Sequence, residues 1–474
     1  MKNISNDKGP RKSGVHHGIW AKLTLLLIAF APLISCEDFV EVDLPKSQLT
    51  GAAVFEDRAT ATAALMDIYA QLRDDGLLTG GSSGMGNLMG LYADELDFYG
   101  DPTQPQALFH NHGILPSDAT VASYWATSYN LIYATNAFLE GVRNSEGISE
   151  QDGQTFEGEG LFIRALLHYQ LSTLFGEIPY IRTSDHRANA KVTRMALSEL
   201  STALMEDLEM AKELLMEEPS LERTRPNRDA VRILMARIHL ETGTWERIVS
   251  EMDALLDKSA TYIWEGDLSR VFQRAATGTI WQFKPRNEGN NTLEAGTFIF
   301  TVGPPPASAL SPYFLESFTP DDLRQAHWTG TVDQGNDSWS HPNKYKYNVD
   351  TGISLEFSIL MRLAEAYLMR AEALAQLGNL EGALSDLNRI RQRAGLSNLD
   401  SLDKDSLLEA IWEQRRLELF TEFGLRWNDL RRTGRAAETL GPIKPGWKDT
   451  DIRLPIPEAE LIINPDLGEQ NPGY

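Results

Sequence analysis

Two stretches of this chain carry the same helix-turn-helix punctuation, and that pattern narrows the possible folds more than any other feature. Ala236, Gly243 and Ile248 recur at the same offsets as Ala371, Gly378 and Ala383. In each stretch a small residue on a first helix lets a second helix approach closely. A glycine follows where the first helix must end in a left-handed residue. Such a pair buries its apolar face only by stacking on neighbouring pairs. The expected fold is therefore mainly α, a scaffold of helix pairs.

Apolar residues at helical spacing predict further helices over 55–73, 124–143, 161–174, 196–217, 229–242, 245–257, 356–377, 380–393 and 406–432. A Gly/Ser-rich stretch over 76–90 breaks the pattern, and Gly176 and Pro179 close the pair formed by 124–143 and 161–174. Between 262 and 351 the character changes to short β-like runs such as Thr279-Ile280-Trp281-Gln282-Phe283, with prolines at 304 to 306. The helix pairs resemble tetratricopeptide-type repeats, but they are degenerate and interrupted. A helical scaffold with a long irregular loop and short-strand insertion is expected, with an N-terminal helical region over 36–258 and a C-terminal region over 259–474.

The first 35 residues read as a signal peptide. Lys2, Lys8, Arg11, Lys12 and Lys22 precede an apolar run over 23–34, interrupted only by Thr24 and Pro32. A membrane span needs about 20 apolar residues, and this run stops short before Glu37 and Asp38. Leu33-Ile34-Ser35-Cys36 resembles the lipobox of bacterial lipoproteins, in which the cysteine is acylated and begins the mature chain. Cys36 is the only cysteine, which excludes an intrachain disulfide and a zinc site built on several thiolates. Acyl chains at about 0.8 kcal/mol per buried methylene would anchor such a chain to a membrane.

A net charge of −23 argues against nucleic acid and anionic lipid as ligands, because both require a basic patch. A neutral ligand such as a sugar suits this balance. Gly80-Gly81-Ser82-Ser83-Gly84 fits a nucleophile-elbow spacing, but no strand is predicted to lead into it, so no catalytic residue is assigned. No dinucleotide or Walker-type loop is found, and His110 and His112 lack a third placed ligand. Neither cofactor nor metal is expected. Asp94, Glu95 and Asp97 are either solvated loop acids or acceptors for sugar hydroxyls. Trp125, Trp245, Trp412 and Trp427 fall in or at helices and are expected to pack. Trp264, Trp281, Trp328 and Trp339 lie in the irregular region, where flat rings can serve as platforms for the C–H faces of sugars. With Tyr92, Asp97 and Tyr99 they form the candidate ligand-binding set.

The segment Ile359-Leu360-Met361-Arg362-Leu363-Ala364-Glu365-Ala366-Tyr367-Leu368-Met369-Arg370-Ala371-Glu372-Ala373 resembles a hallmark of the SusD/RagB family of Bacteroidota outer-membrane lipoproteins. Arg415-Arg416-Leu417-Glu418-Leu419, with Glu422, Gly424, Arg426, Trp427, Asp429, Leu430 and Arg432, is similar to the next family segment. So is the ending through Leu454-Pro455-Ile456-Pro457 and Asn471-Pro472-Gly473-Tyr474. The spacing of Glu422, Arg426 and Asp429 suggests i,i+4 and i,i+3 ion pairs on an exposed helix, with a structural role. The resemblance implies a surface lipoprotein that captures an oligosaccharide without turning it over and acts as lid of a TonB-dependent, SusC-like β-barrel transporter. The competing classes are an adaptor that binds only protein and an extracellular glycosidase.

Overall fold

The computed structural model describes residues 53–474; the predicted leader and Cys36 lie outside them. The scaffold helices are α1 (Arg58–Asp74), α2 (Met85–Tyr92), α3 (Ala119–Arg143), α4 (Glu150–Phe175), α5 (Leu197–Leu214), α6 (Arg228–Thr242) and α7 (Trp245–Leu256). After a short α8 (Leu293–Phe298), the scaffold resumes with α9 (Leu363–Gln376), α10 (Leu380–Arg393), α11 (Lys404–Leu419) and α12 (Leu425–Arg432). Side-chain caps start many of them: Asp57, Asp118, Ser149, Asn227, Asn379 and Asp403 each accept a hydrogen bond from a backbone N–H of the first turn. Gly243 and Gly378 adopt φ of 67° and 82°, as the two turns require. Among the described residues no helix is long and apolar enough to cross a membrane.

Successive helices pack in order: α1 on α3, α3 on α4, α4 on α5, α5 on α6, α6 on α7, then α7 on α9 and α9 on α10 and α11. The stack is thus continuous across the long insertion. Helix α9 lies between two cores. Ala366, Met369 and Ala373 face the main one, while Ala364, Leu368, Ala371 and Ala375 face a smaller one with Ala383, Leu387, Ile390 and Ile411. Its many alanines allow close neighbours on both sides.

The insertion holds three small antiparallel sheets, formed with strand β1 (Leu96–Phe98) from the N-terminal region. Strand β1 pairs with β3 (Ser308–Leu310), β2 (Thr279–Phe283) with β6 (Ser358–Arg362), and β4 (Thr329–Gln334) with β5 (Asp337–Pro342).

Three helix expectations need correction. Residues 358–362 are a strand, β6, buried along its whole length; a short apolar run buried on both faces reads alike as helix or strand. The helix expected over 406–432 breaks at 420–424, where Thr421, Phe423 and Gly424 take φ of 57°, 46° and 73°. The Gly/Ser-rich stretch contains helix α2, because its glycines serve contact. A Cβ on Gly86 would stand 2.7 Å from the carbonyl oxygen of Thr421.

The family-like charges are buried, and apart from the i,i+3 pair of Asp429 with Arg432 they are paired across the fold, not along one exposed helix. Glu422 accepts from Lys344 and Arg362, and Asp429 pairs with Arg415 and Arg432. Glu418, fully buried, gathers Arg362, Arg393 and Arg324. Burial would raise its carboxyl, but those guanidiniums outweigh burial and hold it at about 2.

Candidate functional site

Buried charge fixes the segment that leads to Asp97 and Tyr99. Asp94, 1% exposed, accepts from Arg426 Nε and Nη2 at 2.8 and 2.7 Å and lies 3.1 Å from Arg416 Nε. Burial acts to raise its carboxyl, yet Arg426 and then Arg416 bring it down to about 2. Glu95 beside it is also buried and receives only the Thr421 N–H, 3.1 Å from Oε2. Burial, reinforced by the charge of Asp94, pushes Glu95 up to about 8, so it is protonated at neutral pH. Ser311 completes the frame, donating its hydroxyl to the Asp94 carbonyl at 2.7 Å and its N–H to the Glu95 carbonyl at 2.9 Å.

From this frame β1 runs outward in register with β3, Asp97 opposite Ala309 and Phe98 opposite Ser308. The Tyr99 N–H then donates to the Ala307 carbonyl at 2.7 Å, and the Tyr99 side chain emerges 39% exposed. Burial and the charge of Asp97 raise its hydroxyl above the usual tyrosine value, so the ring stays a neutral donor. His110, on a short helix over Pro105–His110, places Nε2 3.2 Å from Asp97 Oδ1.

On the other side of the loop over 299–307 stands Trp339 of β5, opposite Val332 of β4. Its half-buried ring lies against Gly303, where a Cβ would come within 2.2 Å of Cζ3. Phe300 meets His341 edge-on at 5.1 Å and ties the loop to the same hairpin. Val302 at the loop tip is 67% exposed. Ala307 and Gly303 are four residues apart, so the loop sites that hold Tyr99 and Trp339 are separated by at most roughly 14 Å. Aromatic and apolar side chains therefore flank one loop, with the polar pair Asp97 and His110 at one end.

The remaining aromatic candidates are corrected to packing residues. Trp281 and Trp328 are fully buried. Trp281 meets Phe162 and Phe283 edge-on, each at 5.2 Å, and Trp328 donates Nε1–H to the Leu268 carbonyl at 3.0 Å. Trp264 is half-buried with Tyr367 edge-on at 5.3 Å and the Arg393 guanidinium 4.1 Å from its ring centre. Tyr92 is buried against Trp427 and donates its hydroxyl to the Asp451 carbonyl at 2.7 Å. Asp94 and Glu95 are neither solvated nor placed to meet a sugar. Val302 and Gly303 were missed by sequence reading, and the prolines that follow them are the one signal that marks the loop.

The other motifs also resolve. Ser82 and Ser83 lie in turns between α1 and α2 with no strand leading in, and the Ser83 carbonyl accepts from the Tyr124 hydroxyl at 2.6 Å. His112 is buried, with Nε2 2.8 Å from the Tyr92 carbonyl. Among the described residues no group of three or more His, Cys, Asp or Glu side chains is arranged to hold a metal ion.

Residues 325–474 match the model of the SusD family, and residues 94–240 match a family model described as "Starch-binding associating with outer membrane". The chain belongs to the SusD/RagB family. SusD-like protein P2 of Formosa agariphila is 25% identical over 96% of this chain and 99% of its own length. SusD-like protein P38 of the same organism is 40% identical over 27% of each chain. A solved laminarin-binding SusD-like protein superposes with a TM-score of 0.73 at 22% identity, covering 88% of this chain and all of its own. Surface glycan-binding protein A of Bacteroides thetaiotaomicron gives a TM-score of 0.74 at 18% identity over 89% of this chain and all of its own. At such identities the likeness is one of fold. In this SusD/RagB chain the family-like charges Glu418, Glu422 and Arg426 hold together the buried frame from which β1 carries Asp97 and Tyr99 outward.

Proposed function

We propose that this protein captures a neutral oligosaccharide at the outer-membrane surface, binding it without cleavage across Tyr99, Val302 and Trp339. The observation that carries this reading is the placement of an exposed tyrosine and a half-buried tryptophan on either side of one anchored loop. Rings there can take the C–H faces of successive sugar units, while Asp97 accepts from their hydroxyls. Support comes from relatives named for laminarin binding and surface glycan binding. The acidic surface disfavours anionic glycans, and Asp94, buried and paired with Arg426, is not placed to act on a bound glycan.

The same reading places the chain on a lipid at Cys36, as lid of a TonB-dependent, SusC-like transporter. Capture from gently solubilised membranes should co-purify a large β-barrel protein, and recovery of this chain alone would count against the lid role. For the ligand, calorimetry with β-1,3- and α-1,4-glucan oligosaccharides is the direct test. Trp339→Ala and Tyr99→Ala should each weaken binding by about tenfold, one aromatic contact of roughly 1.4 kcal/mol, with little change in melting temperature. Unchanged binding in both variants would remove the surface from consideration.

A further inference from the structure

A cleft of about 450 Å³ opens between the outer face of α3 and the short helix Glu458–Ile463. Its walls are mainly aromatic and aliphatic. Helix α3 carries no charged residue from Ala119 to Leu139, and it lines the cleft with Trp125, Tyr129 and the 52%-exposed Tyr133. The Trp125 and Tyr129 rings meet at 4.9 Å between centres, and Tyr129 is held by donating its hydroxyl to the Pro179 carbonyl at 2.9 Å. Two amides in the lining are already engaged: Asn189 donates to the Thr183 carbonyl at 2.8 Å and Asn464 to the Val192 carbonyl at 2.9 Å.

One carboxylate stands in this setting without a cation. Glu460 lines the cleft half-buried, and its oxygens are not closed off from solvent. No cation among the described residues acts on it: burial raises its carboxyl, and only a hydrogen bond from Trp125 opposes that. A carboxylate partly withdrawn from water beside aromatic faces favours an incoming cation, whose head it accepts and whose aliphatic stem the rings receive. The other charge-bearing group of the lining, His186, is exposed. In the segments that form the rim, the exposed Arg187 and Lys191 are offset by Asp185, Glu458 and Asp466, while Arg194 is engaged with the Leu467 and Glu469 carbonyls.

The rim separates a protein partner from a small free cation. Ile463 is 76% exposed, and Ile462 beside it is exposed as well. Leu115, also exposed, belongs to the same edge, because the Pro116 carbonyl accepts from the Glu458 N–H at 2.9 Å. A small cation leaves these apolar side chains in water, whereas a protein segment covers them. We propose that this cleft docks a partner protein through one basic side chain set between apolar residues, its cationic head on Glu460 and its stem along Tyr129 and Tyr133. None of these residues belongs to the Tyr99–Trp339 surface, so docking and glycan capture stand or fall separately.

The test is a fluorine NMR titration of the mature chain labelled with 5-fluorotryptophan, the Trp125 signal being assigned through Trp125→Phe. The probes are acetyl-Leu-Arg-Leu-amide, the same peptide with citrulline or glutamate in place of arginine, and methylguanidinium. The Trp125 signal should shift and saturate with the arginine peptide and stay still with the citrulline and glutamate peptides. Methylguanidinium, which has the head without the apolar flanks, should bind at least about tenfold more weakly than the arginine peptide. Glu460→Gln and Tyr133→Ala, both at sites open to solvent, should each weaken the peptide titration about tenfold with little change in melting temperature. Trp339→Ala should leave it unchanged. An equal response to the citrulline or glutamate peptide, methylguanidinium binding as tightly as the arginine peptide, or no response to any probe would overturn the proposal. So would a wild-type titration in either Glu460→Gln or Tyr133→Ala, or a weakened one in Trp339→Ala.

Discussion

Replacing Glu95 by glutamine should stabilise the protein, and the gain should grow with pH. In the folded chain this carboxyl is raised to about 8 from an ordinary 4.5, because it is buried and stands beside ionised Asp94. An acid whose folded pKa is raised costs nothing below 4.5, where it is protonated in both states. Its penalty accumulates as pH climbs through 4.5 toward 8, since the unfolded chain gives up the proton that the folded chain retains, and it levels off above 8. At about 1.4 kcal/mol per pH unit, the full interval amounts to about 5 kcal/mol, and near pH 6 to about 2 kcal/mol. Glutamine keeps an acceptor for the Thr421 N–H and has no proton to lose. Urea unfolding of wild type and Glu95→Gln from about pH 5 to about pH 9 measures the difference directly, and titrating groups that do not act on Glu95, such as Glu356, cancel in it. Wild type should fall away from the variant as pH rises. Parallel curves across that range would refute the reasoning.

Arg426→Met leaves Asp94 buried with only Arg416 beside it and should cost about 3 to 5 kcal/mol; faster amide exchange over 94–99 would show where the frame loosens. Trp281→Ala should cost about 3 to 5 kcal/mol, as a fully buried ring does, without a selective loss of glycan binding. Gly303→Ala should push the Trp339 ring aside and weaken binding with little change in melting temperature, read by calorimetry and thermal unfolding. A metabolic lipid label should tag the wild type and not Cys36→Ala.

The helix pairs were legible in sequence because their signal is local. The glycines at 243 and 378 and the alanines at 236 and 371 state their own geometry, and the ends of α10 are those the periodicity predicts. The signals that misled were long-range. Glu422, Arg426 and Asp429 have the spacing of helix-surface pairs with one another, but apart from the local Asp429–Arg432 pair their partners come from 362, 94 and 415, distances along the chain that no periodicity reveals. The tryptophans failed for a related reason. An irregular region is not an exposed one: Trp281 lies on a strand covered on both faces, and Trp328 ends a short helix inside the core. Trp339 alone of the four lies on the β4–β5 hairpin, most of whose residues are exposed or half-buried, and nothing local sets it apart.

The chain leaves the scaffold at Phe283 and returns at Ser358, and these two residues are register partners in the β2–β6 pair. Everything between them begins and ends at one doorway while α7 rests on α9 behind it. Length and composition of the tips over 299–307 and 329–341 can therefore vary with only the slow logarithmic cost of a longer closed loop, provided Arg324 and Lys344 still reach Glu418 and Glu422. Rewriting these two short tips leaves the doorway as it is, so a protein engineer can transplant them between relatives while the helices behind them stay in place.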